Sequence, residues 1–261
     1  MDVMRELLMN NLANSSVTTR DLLMDTAETL FAQKGVEGAS LRAIGLKAGQ
    51  NNTVAVQYYF KNRKGLIEAV LESRFRQIED LRTEKLESLL AANPDPSLEE
   101  LVYVLQKPLL GLNSSNIFAR FLLQYLTSST RWEFHTGNGV RGWLTNGATY
   151  RDSATFQLLD LIAAKLPDVP RHVLGSRLVQ CMRMLMGSVV DWENMRNCGQ
   201  PTPKFETLIS DQISMIGAAL HAPISNTFAE NTQLAEASHH ELLNDTVLPD
   251  RVNTSSRWMT S

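Results

Sequence analysis

The chain has no run of about 18 apolar residues, so no transmembrane helix is expected. Residues 1–16 hold no apolar stretch long enough for a secretory signal. Cysteine is scarce: Cys181 and Cys198 are two among 261 residues, outside any metal-ligand spacing and too few for a disulfide framework. The expected compartment is therefore a reducing cytoplasm, with no metal and no cofactor. Signatures of catalysis are missing as well. Gly-x-Ser-x-Gly, His-Glu-x-x-His and Cys-x-x-Cys do not occur, and His135, His172, His221, His239 and His240 are scattered. Asp191 and Glu193 are two apart and would not share a helical face. No residue is assigned a catalytic role, and an enzyme is not expected.

An overall excess of positive charge is also lacking, since the formal net charge is -3. The distribution is more informative than the total. Between Lys34 and Lys64 stand six basic residues, Lys34, Arg42, Lys47, Lys61, Arg63 and Lys64, against one acidic residue, Glu37. A basic patch on a mildly acidic chain can attract phosphates while limiting nonspecific attraction elsewhere.

What is present is helical periodicity, and no segment reads convincingly as a strand. Thr18 with Asp21 three residues on has the form of a capping box, followed by Leu23, Ala27, Leu30 and Phe31 at helical spacing and by Gly35 as a stop. Ser40 can cap a second helix carrying Leu41, Ile44 and Ala48, which Gly49 ends. A short third helix is expected from about Thr53 to Phe60. Asn62 then caps a long helix from Arg63 to about Ala91, with Leu66, Val70, Ile78, Leu81 and Leu89 as its apolar positions. Asn93-Pro94-Asp95-Pro96 breaks the pattern. Ser97 caps the next helix, which Pro108 kinks or ends, and another runs from Asn116 to Leu126.

Residues 131–150, with Gly137, Gly139, Gly142 and Gly147, read as a long connection. Helical spacing returns at Asp152 to Leu166, from Pro170 to Asn197 and from Pro203 to Leu220. Residues 224–261, rich in Asn, Thr and Ser, read as a disordered tail. The fold class is all-α.

Three short helices with Gly49 in the connection between the second and third are the arrangement of a helix-turn-helix. In that geometry the second helix crosses the sugar-phosphate backbone and the third enters the major groove. Ile44, Ala48 and Val56 suit inward positions, and Thr53, Gln57, Tyr58 and Tyr59 suit outward ones.

The stretch Thr19 to Leu71 resembles the DNA-binding domain of the TetR family of regulators. The resemblance is carried by Ala27-Glu28-Thr29-Leu30-Phe31-Ala32-Gln33-Lys34-Gly35, by Ser40-Leu41-Arg42-Ala43-Ile44, by Ala48-Gly49 and most strongly by Val56-Gln57-Tyr58-Tyr59-Phe60-Lys61-Asn62-Arg63-Lys64-Gly65-Leu66. It covers about a fifth of the chain. The sequence departs from the family at Gly45, where Ala is usual, at Gln50, where an apolar residue is usual, and in a turn one residue longer than the common one.

The resemblance implies a DNA-binding helix-turn-helix over 18–65 and a helical ligand-binding and dimerisation domain over 66–223. Arg42 would meet a phosphate or a base edge. Thr53 and Gln57 would face base edges, with Tyr58 beside them. Tyr59 and Arg63 would bond phosphates, with Lys47, Lys61 and Lys64 around them. The last two helices would pair with their copies in a homodimer. A small-molecule pocket would lie among the middle helices, with Phe118, Tyr125, Trp132, Trp143 and Met184 as its candidate lining. The implied function is a dimeric repressor released from a palindromic operator in double-stranded DNA by a ligand. The alternatives are a ligand-responsive activator and a helical interaction protein that has lost DNA binding.

Overall fold

The computed structural model describes residues 18–50, 54–110, 116–128 and 153–224. Every regular element among them is helical. The helices are α1 (Thr19–Lys34), α2 (Leu41–Lys47), α3 (Val54–Phe60), α4 (Arg63–Ala92), α5 (Leu98–Gln106), α6 (Ile117–Thr127), α7 (Ala154–Lys165), α8 (Arg171–Asn197) and α9 (Phe205–His221), with a 3-10 turn at Lys107–Leu109. No helix among these residues is long and apolar enough to cross a membrane. Thr53, Trp132, Trp143, the 131–150 connection and the segment read as a tail from residue 225 onward lie outside the described residues.

Local chemistry sets the boundaries. Thr18 and Asp21 close a capping box at α1: the Asp21 amide donates to Thr18 Oγ1 at 3.1 Å and the Thr18 amide to Asp21 Oδ2 at 3.3 Å. Ser97 and Glu100 do the same for α5. Ser40 Oγ and Asn62 Oδ1 accept from the amides of Ala43 and Gly65 at the starts of α2 and α4. Pro108 cannot donate in an α-helical ladder, and α5 gives way to the 3-10 turn around it.

The core is continuous from the N-terminal helices into the body. α1 packs on α2, α4 and α6; α6 also packs on α8; α5 lies against α4, α7 and α9. An aromatic chain crosses the α1–α6 contact. Phe31 stacks on Phe121 at 5.6 Å between ring centroids, Phe121 meets Phe118 edge-on at 6.2 Å, and Phe118 meets Phe75 of α4 at 5.9 Å.

Two clusters of charged side chains interrupt the apolar core. Glu28 on α1 is 1% exposed and receives Arg74 of α4 through Nε at 3.0 Å and Nη2 at 2.6 Å, while Nη2 also reaches Asp25 at 2.6 Å. Deeper in α4, buried Glu79 and Arg82 meet the start of α7. Glu79 accepts from Ser153 Oγ at 2.8 Å, from the Thr155 amide at 3.1 Å and from Thr155 Oγ1. Arg82 donates to the Leu105 carbonyl through Nε and Nη2 at 2.9 and 2.7 Å, and to Thr155 Oγ1 at 2.9 Å.

Candidate nucleic-acid interface

The connection after α2 is built by Gly49, whose φ of 73° is left-handed. The Gly49 amide donates to the Leu46 carbonyl at 3.1 Å and the Gln50 amide to the Gly45 carbonyl at 2.9 Å. These paired bonds form a Schellman stop, which satisfies the last carbonyls of α2 and turns the chain. Gly45 does not break α2. It is buried and helical, and a Cβ placed on it would stand 3.5 Å from Val56 Cγ2, an ordinary contact. The usual alanine would fit there.

α3 is a seven-residue helix, too short to persist without tertiary contacts. Val56 and Phe60 supply them, both buried along with Ile44 of α2 and Ala48 at its C-cap. Anchoring these two turns the other side outward. Gln57 is exposed, Tyr58 is 79% exposed and Tyr59 is 41% exposed. The two tyrosine rings meet edge to face at 5.1 Å. Arg20 of α1 lies over the Phe60 ring at 5.4 Å.

The chain leaves α3 through Lys61, a non-glycine residue with φ of 63°. Its amide donates to the Gln57 carbonyl at 2.9 Å, and Asn62 then caps α4. Gly65 is required in this corner, because a Cβ would fall 2.2 Å from the Phe60 carbonyl oxygen. Arg63 is half-buried. Its Nη1 donates to the Val36 carbonyl at 2.5 Å and lies 3.5 Å from that of Glu37. The guanidinium that the resemblance assigns to phosphate ties the start of α4 to the α1–α2 loop.

The other basic residues singled out in the sequence, Arg42, Lys47, Lys61 and Lys64, are exposed, as is Lys34. The fold thus places Arg42, Lys47, Gln57, Tyr58, Tyr59, Lys61 and Lys64 at the surface of α2, α3 and the corner that follows. Leu46, 56% exposed in the last turn of α2, adds an apolar side chain to this surface that the sequence reading does not include, although its place off the Leu41–Ile44–Ala48 face points outward.

The candidate pocket residues fall elsewhere. Phe118 and Tyr125 are buried on α6, Phe118 between Phe75 and Phe121 and Tyr125 at 6.4 Å from Phe121. Met184 is half-buried on α8. These three belong to the packed core described above.

Residues 23–70 match the model of the family described as bacterial regulatory proteins, tetR family. A Bacillus subtilis (strain 168) protein described as the HTH-type transcriptional regulator YttP is 42% identical over 52 residues, which are 20% of this chain and 25% of that protein. The match therefore spans about a quarter of the relative's length. A solved structure from Shewanella sp. PV-4, described as a tetR family transcription regulator, has a TM-score of 0.54 at 15% identity. That likeness covers 77% of this chain and 97% of the other, and it is one of fold.

Proposed function

We propose that residues 23–70, which match the model of the tetR family of bacterial regulatory proteins, are a DNA-binding domain of that family, and that the whole chain is a dimeric repressor released from a palindromic operator by a small molecule. One observation carries this reading: α3 holds Val56 and Phe60 inward and presents Gln57, Tyr58 and Tyr59 outward, flanked by exposed lysines. Gln57 then reads a base edge, for which an amide is suited to adenine. Tyr59, Arg42, Lys47, Lys61 and Lys64 contact phosphates and set the register. Arg63 serves both phosphate and fold, since one of its nitrogens is held by the Val36 carbonyl. Thr53, just ahead of α3 in the sequence, faces a base edge with Gln57.

The reading head spans 18–65 and the ligand-binding and dimerisation body 66–223. α8 and α9 supply the dimer face. Val179, Met195 and Met215 are large apolar side chains left exposed there, as expected of a surface awaiting its copy. A two-fold pair of heads accounts for a palindromic site with half-sites one helical turn apart. The ligand acts by binding more tightly to a dimer whose heads no longer match that spacing. Phe118, Tyr125, Trp132, Trp143 and Met184 are the proposed contacts for it. The proposed compartment is the cytoplasm, where the DNA is.

Fluorescence anisotropy at moderate salt tests the reading. Duplex DNA from upstream of the chain's own and adjacent genes should bind more tightly than unrelated duplex of equal length, with affinity falling steeply as salt rises. Equal affinity for both duplexes overturns it. The second reading, a helical interaction protein without DNA binding, is favoured by the longer turn at Gln50. Replacing Tyr59 and Arg63 separates the two, because such a protein has no DNA affinity to lose. Repression or activation follows from where the operator lies relative to the promoter, which a reporter assay reads directly.

A further inference from the structure

A groove of about 730 Å³ lies between α4, α5 and α9, away from Phe118, Tyr125 and Met184. Its floor is apolar: Val104, Ile209 and Ile213 are buried, and Leu89 is half-buried. Its rim is charged, and unevenly so. Glu84, Glu99, Glu100 and Glu206 line it against only Lys85 and Lys107.

Two of these carboxylates are already engaged. Glu100 closes the α5 capping box on the Ser97 amide at 2.7 Å, and Glu206 faces Lys107, whose Nζ lies over the Phe205 ring at 4.8 Å. Glu84 and Glu99 have no ion-pair partner among the described residues. Glu99 rests against the α9 backbone at Gly217, where a Cβ would come within 2.8 Å of its Oε1. The lining therefore combines an apolar floor, an exposed aromatic ring at Tyr103 and a surplus of negative charge. The size is that of a small-molecule site.

We propose that this groove binds an organic cation with an apolar body, its chain laid on Val104, Ile209 and Ile213 and its ammonium held by Glu84 and Glu99 beside the Tyr103 ring. Charge complementarity selects the cation, and the floor selects against small, fully hydrated ions. The groove uses the side of α9 that carries Glu206, Ser210 and Ile213. Met215, 47% exposed, is not part of its lining. A dimer formed through Met215 would leave the groove open.

Calorimetric titration of the full chain without DNA tests the site independently of the DNA-reading assignment. The probes are octyltrimethylammonium, octyl sulfate and octanol, which share a chain and differ in charge. The expected result is saturable binding of octyltrimethylammonium, weaker binding of octanol and none of octyl sulfate. The double variant Glu84→Gln/Glu99→Gln should weaken the cation about tenfold, with an unchanged unfolding midpoint, because both positions are exposed. Raising salt should weaken the wild type and not the variant. A second variant, Ile213→Thr, should weaken octyltrimethylammonium and octanol together. Equal binding of octyl sulfate, or an unchanged affinity in the double variant, overturns the proposal. So does a wild-type chain that takes up no cation while the double variant alters its sedimentation mass, which would make a second copy the occupant.

Discussion

Arg63 Nη1 lies 2.5 Å from the carbonyl oxygen of Val36, a residue 27 positions earlier and buried between α1 and α2. One side chain thus fixes where the long helix α4 begins relative to the reading head. Arg63→Ala should cost about 1–3 kcal/mol, the range for losing a charge-assisted bond and orphaning a buried carbonyl. Urea unfolding measures it. DNA affinity should fall further than in Lys64→Ala, because a misplaced α4 start also shifts the α3 corner.

Gln57 and Tyr58 are exposed and should contribute little to the fold. Their alanine variants should unfold within about 0.5 kcal/mol of wild type. Binding should respond differently in the two classes of variant. Gln57→Ala should lose roughly 1–3 kcal/mol on the operator and relax the preference at one base pair. Lys47→Ala should weaken all duplexes alike and reduce the salt slope by about one. Anisotropy with a panel of single-base operator variants distinguishes the patterns. A uniform loss for Gln57→Ala would remove it from base reading.

Gly45 and Gly65 make opposite predictions. Gly45→Ala adds a methyl at 3.5 Å from Val56 Cγ2 inside a helix, so stability should rise by about 0.5–1 kcal/mol with operator affinity retained. Gly65→Ala drives a Cβ to 2.2 Å from the Phe60 carbonyl, which is backbone and cannot swing away. That variant should be destabilised and should lose DNA binding through a displaced α3. Thermal unfolding and anisotropy on both check the contrast.

The buried Glu79–Thr155–Arg82 network joins α4, the end of α5 and the start of α7. Burial pushes Arg82 down to about 10, and the nearby Glu79 opposes that shift, so the guanidinium stays charged at neutral pH. Arg82→Met leaves Glu79 buried without its cation and should cost about 3–5 kcal/mol. Glu79→Gln/Arg82→Met should recover part of that loss, since neither charge is then stranded. A double variant no more stable than Arg82→Met would show that the two residues act separately.

Glu28 makes stability depend on pH with an unusual sign for a carboxylate. Burial raises its pKa, more than Arg74 beside it lowers it, and Asp25 adds to the rise. The folded chain then holds a proton on Glu28 that the unfolded chain has released, in the window between the unfolded and the raised folded value. The contribution of this group is full below the unfolded value and is lost as pH rises through the folded one. Glu28→Gln should remove that component, so the wild-type minus variant stability should fall from acid to neutral pH. A difference that is flat, or that grows with pH, would mean that the pairing with Arg74 outweighs burial.

Much of this was legible in the sequence because the signals are local. Thr18/Asp21, Ser40, Asn62 and Ser97 announce helix starts by side-chain chemistry acting within three residues, and Gly35 and Gly49 announce stops by their backbone freedom. The outward placement of Gln57, Tyr58 and Tyr59 follows from the same logic, with Val56 as the inward anchor. The buried charges were not legible. On α4 the apolar positions included Leu81, yet the inward face carries Glu79 and Arg82, with Leu81 only half-buried. Their partners, Ser153, Thr155 and the Leu105 carbonyl, lie on other helices far along the chain, and no local periodicity encodes such a pairing. The second task of Arg63 was hidden for the same reason.

The Phe31–Phe121 stack means that covalent continuity at Asn62 is not the sole tie between the N-terminal helices and the body: the α1–α6 seam and the Arg74 bonds to Glu28 and Asp25 on α1 fasten them as well. A body pinned at several points has no free swivel, so in the dimeric regulator proposed above a displacement of α6 would carry α1 and the α3 surface with it, and the spacing of the two heads would report where α6 sits.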